Sequence, residues 1–370
     1  MDSSVSANQV PRRPAASPEA DWQAVLADAV CDPAELCRLL GLPPALAVEE
    51  AARQFPVRVP RPFLARIRPC DPDDPLLVQV LPRREELARV PEFVADPLGE
   101  AAAACVPGVL RKYRRRLLIL ASATCGVHCR FCFRRHFPYS TVGTQHGDCP
   151  NFRDGDCPDF RAEKMGLSPF WAGKPVSLLA CLDRIASDES IEEVILSGGD
   201  PLISPDSQLA DLSRQLAAIP HVRRLRVHTR LPIVIPQRVT NELLGWLRGT
   251  RLTPVVVVHV NHPAEIDVAV GAALGRLVDA GVPVLSQSVL LRGVNEQPEV
   301  MAELCRRLVD LRVVPYYLHQ LDRVAGAAHF EVPEAEGVAL VRELRARLPG
   351  YAVPRYVRDV PGAANKQVLA

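Results

Sequence analysis

No stretch of the 370-residue chain approaches the roughly 20 consecutive apolar residues that span a bilayer. The opening MDSSVSANQVPRRPAASPEA has no apolar core of the kind a secretory signal needs. Net charge is nearly nil as well: 44 basic against 43 acidic residues leave +1. No long-range field therefore draws the chain to nucleic acid or to a membrane surface. A cytoplasmic protein is predicted, with neither nucleic acid nor membrane as partner, whose function must be read from a site. A content of 48% hydrophobic residues suffices for one barrel-sized domain with an appendage. Eleven cysteines in a reducing compartment do not suggest a disulfide framework. Six of them (Cys31, Cys37, Cys70, Cys105, Cys181 and Cys305) stand singly in apolar or helical patterns and read as inert thiols.

Residues 1–20, rich in Pro, Ser and Ala, read as a disordered arm. Residues 21–110 read as a helical N-terminal subdomain: DWQAVLADAV and DPAELCRLLGL are helical patterns with Asp at capping positions. From 111 to 332 the pattern changes. Six apolar, β-branched runs (LLILASAT, IEEVILSGGDP, VRRLRVHTR, TPVVVVHVNHP, VPVLSQSVLL, VVPYYLHQLD) are separated by helix-length stretches. Such βα repeats predict a parallel sheet, and six units rather than eight predict a partial (β/α)6 TIM-type barrel, an α/β fold open on one side. Residues 333–370 then form a C-terminal helix and a terminal segment. Each run ends in polar residues: Ser197 to Asp200, His228 to Arg230, His259 to His262, Gln287 with Ser288, and His319 to Asp322. Carboxyl ends of parallel strands line active sites, so these clusters should converge on one mouth. The stretch 141–175 interrupts the pattern with a tandem repeat carrying Cys149 and Cys157; it reads as a surface loop, with a metal site including His146 as the alternative.

TCGVHCRFCFRRHFPY, residues 124–139, holds Cys125, Cys129 and Cys132 in a Cys-x3-Cys-x2-Cys run. A structural zinc site would close with a fourth ligand, which His128 or His136 could supply. Three thiolates can instead ligate three irons of a [4Fe-4S] cluster and leave the fourth open to an exogenous ligand. This loop resembles the signature of the radical S-adenosylmethionine enzymes. SGGDP at 197–201 resembles their Gly-rich segment, which implies that Ser197, Gly198, Gly199 and Asp200 contact S-adenosylmethionine.

The resemblance narrows further. CRFCFRRHFPY, SGGDPL, RLPIVIPQR, VNHPAEID, QSVLLRGVNE, PYYLHQLDRVAGAAHF and GYAVP are similar to the lysine 2,3-aminomutase family from about residue 21 to the end. They resemble most its short bacterial branch, which makes (R)-β-lysine for elongation factor P. The resemblance implies an isomerase with a [4Fe-4S] cluster, S-adenosylmethionine and pyridoxal 5'-phosphate. It also implies an electron donor such as flavodoxin or ferredoxin, and a link to elongation factor P and its lysyl ligase. Lys366, in RDVPGAANKQVLA, matches the catalytic lysine that carries the pyridoxal group. Lys112, Tyr113 and Arg116 match its phosphate ligands, with Arg114 and Arg115 equally available. Arg134 matches the residue that binds the substrate carboxylate, and Asp322 and Asp359 match the pair that holds the lysine ε-ammonium. Asp359 departs from the Glu expected of the short branch. His228, Arg230 and Gln287 resemble residues lining the two cofactor pockets. The alternatives are an aminomutase for another amino acid and a radical enzyme that uses no pyridoxal phosphate. The sequence stops four residues after Lys366. The zinc-bearing, dimer-forming tail of the long members is thus not expected, and a fraying end near Lys366 is.

Overall fold

A computed structural model describes residues 21–106, 108–137 and 175–370. The arm, the insertion with Cys149 and Cys157, and Tyr139 lie outside the described residues. Among the described residues ten strands form one sheet in sequence order: β1 (Ala104–Val106), β2 (Val109–Leu110), β3 (Arg116–Ser122), β4 (Glu193–Gly198), β5 (Arg224–Thr229), β6 (Thr253–His259), β7 (Val284–Val289), β8 (Val314–His319), β9 (Arg355–Arg358) and β10 (Gln367–Val368). The six expected runs are β3 to β8, each parallel to the next. The sheet goes on at both ends. β9 adds a seventh parallel strand, while β1, β2 and β10 pair antiparallel. The fold is a partial (β/α) barrel.

Before the sheet come five short helices, α1 (Trp22–Ala27), α2 (Pro33–Leu39), α3 (Glu49–Gln54), α4 (Arg61–Leu64) and α5 (Pro75–Val78). The first two start as the sequence predicts, and α5 starts in the same way. Asp21, Asp32 and Asp74 accept hydrogen bonds from first-turn N–H groups, and Pro33 and Pro75 stand where no intrahelical N–H is needed. The barrel helices are α6 (Pro175–Ala186), α7 (Asp206–Ala218), α8 (Leu231–Val234), α9 (Asn241–Arg248), α10 (Val268–Asp279), α11 (Pro298–Asp310) and α12 (Glu334–Arg347). No described helix is long and apolar enough to cross a membrane.

Alternation along the strands separates core from site. Leu225 and Val227 of β5, Val256 and Val258 of β6, and Leu318 of β8 join one apolar core with helix residues such as Leu212, Leu243, Leu274 and Leu304. The same core takes in Leu36, Phe63 and Leu77, so the N-terminal helices pack continuously with the barrel. Residues of the opposite parity, Arg226 and His228 on β5, His259 on β6, Gln287 on β7 and His319 on β8, point to the other face, where a purely structural barrel would carry Val and Leu.

The expected fraying of the C-terminus gives way to pairing. The Leu369 N–H donates to the Tyr356 carbonyl at 2.8 Å, and Tyr356 N–H donates to the Ala370 carbonyl at 3.1 Å, so Lys366 sits within a hairpin. Cys37, Cys70, Cys105, Cys181 and Cys305 are free thiols as expected, whereas Cys31 is disulfide-bonded.

Candidate active site

The cysteine loop leaves the end of β3 and is held by buried charge. Arg130, fully buried, donates through Nε (2.9 Å) and Nη2 (2.6 Å) to the Glu86 carboxylate and through Nη1 to the Phe55 carbonyl (2.6 Å). Arg135 Nη2 donates to the same Glu86 at 2.8 Å, and its Nη1 reaches the Arg130 and Gly326 carbonyls. The turn between the cysteines is thereby pinned to the N-terminal helices. His128 and His136 are both turned onto carbonyls: Nδ1 of His128 lies 2.9 Å from Pro56 O, and Nε2 of His136 lies 3.0 Å from Ala325 O. Each contact takes up one ring nitrogen, Nδ1 of His128 and Nε2 of His136.

Across from the loop, Gly198 and Gly199 end β4. A Cβ on Gly198 would lie 2.3 Å from the Ser122 carbonyl oxygen, and one on Gly199 2.1 Å from that of Thr124. Gly199 N–H donates to Ser122 O at 2.7 Å, and Asp200 N–H to Thr124 O at 2.8 Å. The glycine pair therefore lets the end of β4 press against the end of β3 and the first residue of the cysteine loop. The Asp200 carboxylate turns to protein donors: the Thr229 hydroxyl (2.7 Å) and the N–H groups of Leu202, Arg230 and Leu231. Burial pushes this carboxyl up against those hydrogen bonds.

A second group of charges gathers at the C-terminal segment. Lys366 Nζ and the Tyr113 hydroxyl both donate to the Asp359 carboxylate, one to each oxygen. Burial would raise Asp359, but Lys366, then Lys112, and the two hydrogen bonds hold it down to about 2. Asp322 behaves oppositely: burial, then the neighbouring Asp359 charge, push it up to about 7 against Lys366 and Lys112. Arg116 stacks its guanidinium 5.2 Å from the Tyr113 ring centre. His228 and His319 are held neutral, chiefly by burial and further by cations, Arg226 and Lys366 for His228 and Lys366 for His319. His228 Nε2 is buried with no hydrogen-bond partner.

Arg134 links the two groups. Its Nε and Nη2 form a fork on Glu100 (2.6 and 2.9 Å), and Nη1 donates to Ser197 Oγ and to Gly198 O, each at 3.0 Å. Lys112 Nζ lies 3.4 Å from the same Glu100, and this buried carboxyl is kept low by Arg134 and then Lys112 despite its burial. Gln287 lies on β7 in register with His259, one strand away. The structure thus brings the cysteine loop, the Gly-Gly strand end and the Lys366 group to one side of the sheet.

The chain is 41% identical over 363 residues to the Haemophilus influenzae protein named L-lysine 2,3-aminomutase, covering 98% of this chain and 99% of that one. It is 42% identical over 352 residues to the Escherichia coli protein of the same name, 94% of each. The chain belongs to the L-lysine 2,3-aminomutase family. A Clostridium subterminale L-lysine 2,3-aminomutase matches at 37% over 82% of this chain and 66% of its own length. No family model matches. A radical SAM methyltransferase structure from Sphaerobacter thermophilus overlaps 51% of this chain and 58% of its own at 21% identity and a TM-score of 0.34, too loose to bear on fold or function.

In this aminomutase-family chain the donor sets suit the groups the family resemblance implies. Cys125, Cys129 and Cys132 are free, and burial pushes all three thiols up, Cys132 to about 11, so they ionise when a metal displaces the proton. Among the described residues no three His, Cys, Asp or Glu converge on a single ion. A cubane does not need that, because each thiolate binds a different iron. Near Lys366, the unpartnered His228 nitrogen and the cations Lys112 and Arg116 suit a polar, phosphate-bearing ligand.

Several contributors escaped the sequence reading. Glu100 stands in the plain stretch PLGEAAAA and Glu86 in RREEL, with no spacing signal. His319 sat within a strand-end cluster and could have been singled out on that ground.

Proposed function

We propose that the protein is an L-lysine 2,3-aminomutase, moving the amino group of L-lysine from C2 to C3 while a hydrogen moves the other way, without net oxidation. The observation that carries this reading is the placement of Lys366, Tyr113 and Asp359 on the same side of the sheet as the three-cysteine loop, in a chain that matches named aminomutases end to end. When bound, the cluster with S-adenosylmethionine supplies a carbon-centred radical, and pyridoxal phosphate supplies the electron sink for the migrating nitrogen.

The chain's own residues bind and orient. Cys125, Cys129 and Cys132 hold the cluster; Ser197, the Gly198–Gly199 backbone, Asp200, His228, Arg230 and Gln287 line the cofactor space around it. Lys366 carries the pyridoxal group, and Lys112, Tyr113 and Arg116 hold its phosphate. Lys366, in holding the cofactor, would free the Asp359 oxygen it now occupies. With Asp322, Asp359 is then ready for the substrate ε-ammonium, one cation replacing another. Arg134 receives the substrate carboxylate by exchanging Glu100 for it, a bidentate pair for a bidentate pair. Similarity along the full length to the short members supports (R)-β-lysine as product, elongation factor P and its lysyl ligase as the consumers, and a flavodoxin or ferredoxin as donor.

The test is anaerobic reconstitution with iron, sulfide, pyridoxal phosphate, S-adenosylmethionine, a reductant and L-lysine, followed by product analysis. β-Lysine is expected; an intact cluster without β-lysine overturns the assignment. Full activity and unchanged pyridoxal absorbance in Lys366→Ala would overturn the cofactor role of that lysine.

A further inference from the structure

Arg230, expected beside the cofactors, touches a cluster cysteine directly. Its Nη1 donates to Cys129 Sγ. On its other side Nη2 donates to Gln79 Oε1 at 2.7 Å and Glu265 Oε2 at 3.0 Å. The guanidinium lies 5.6 Å from the Phe63 ring centre and 5.8 Å from that of Phe131. Its Nε is buried with no partner, and a buried donor left unpaired is costly, so an acceptor belongs beside it. Inorganic sulfide of a cluster on Cys129 would be one.

Glu265 is as firmly placed. It is fully buried, and its Oε1 accepts from the N–H groups of Asn261 (2.9 Å) and His262 (3.1 Å) and from Gln79 Nε2 (3.2 Å). Gln79 is held in turn by Asn261 Nδ2 at 3.0 Å and by its own Nε2 on Pro75 O at 3.0 Å. Neither charge can swing away when the charge on the cluster changes.

We propose that Arg230 and Glu265 act together as positioning charges that set the reduction potential of the cluster. Arg230 raises it through the hydrogen bond to Cys129 sulfur, and Glu265 moderates that rise from behind. This rests on the cluster reading above. Reduction moves one electron from an external low-potential donor to the cluster; no proton is taken up and no bond at Arg230 breaks. The added negative charge is favoured by a buried cation within hydrogen-bond reach and disfavoured by a buried carboxylate, and low local polarity magnifies both.

The opposite signs make the test. Full-length protein is reconstituted anaerobically, iron and sulfide are assayed, and the cluster is titrated by EPR at poised potentials without substrate. At the wild-type midpoint, Arg230→Met is expected to lower the reduced-to-oxidised ratio about tenfold, equivalent to ~59 mV for one electron. Glu265→Gln is expected to raise that ratio, and Arg230→Lys, which keeps the charge, to stay near wild type. Shifts of the same sign in Arg230→Met and Glu265→Gln, or no shift in either, overturn the proposal. If Arg230→Met assembles no cluster, Glu265→Gln decides by itself: a raised ratio supports the proposal and an unchanged or lowered one overturns it. A wild-type chain that takes up no iron overturns the cluster reading and this inference with it, a result separable from an intact cluster that does not shift.

Discussion

The cysteine loop and the Lys366 segment lie on one side of the sheet and handle buried charge in opposite ways. At the loop, Arg130 and Arg135 share Glu86, and Arg230 is held between Cys129 and Glu265 by fixed protein partners, with its Nε left over. At the C-terminal segment, Lys366, Tyr113 and Asp359 form a set in which one cation can be exchanged for another, and Asp322 titrates near neutrality. A cluster site has to hold its shape while its charge changes. A site that binds a zwitterionic amino acid has to give up its own ion pairs to the ligand.

Breaking the fixed end should have the largest effect. Glu86→Ala leaves two buried guanidinium groups without their carboxylate and should lower stability by about 3–5 kcal/mol, read by denaturant unfolding. Iron content after reconstitution should fall with it. If stability is unchanged, the loop is not held by this triad.

At the exchangeable end, Asp359→Asn removes one charged hydrogen-bond partner worth about 1.5–3 kcal/mol, so KM for lysine should rise by roughly ten- to a hundredfold with a smaller change in kcat. An equal fall in kcat at constant KM would place Asp359 outside substrate binding.

Asp322 supplies a pH signature that the loop should not show. Its carboxyl, raised to about 7, is neutral below that pH and attracts the substrate ammonium only above it. KM for lysine should therefore climb as pH falls through about 7, by up to about tenfold per unit, and Asp322→Asn should flatten the profile. The stability sign runs the other way. Because the folded-state value is raised, this group's contribution is fully present below about pH 4 and lost as pH rises through about 7. Tyr113→Phe should have the smallest effect, roughly two- to tenfold on KM for lysine or on pyridoxal phosphate affinity, since it removes one neutral donor that serves Asp359 here and would serve the phosphate once the cofactor is bound.

Much of this was legible in the residues. Spacing within one loop marked Cys125, Cys129 and Cys132, because local geometry decides whether three thiols share a cluster. Six β-branched runs marked β3 to β8, since buried parallel strands need apolar residues on the face that meets the helices. Four-residue β9 and the two-residue strands β2 and β10 carried no such pattern and form because neighbouring edges offer them partners.

What the sequence by itself determined was the repeat, the cysteine loop and the chemical types at the strand ends, all set by contacts within a few residues. Only the tertiary structure decided which carboxylate faces which cation. Glu100 lies 34 residues from Arg134, Glu86 44 from Arg130, and Glu265 35 from Arg230. It also turned Gly198 toward the end of β3, Gly199 toward Thr124 at the start of the cysteine loop, and Asp200 toward the turn at Arg230. A buried charge is governed by whatever the fold brings within a few ångströms, and chain spacing says nothing about that until the strands are side by side.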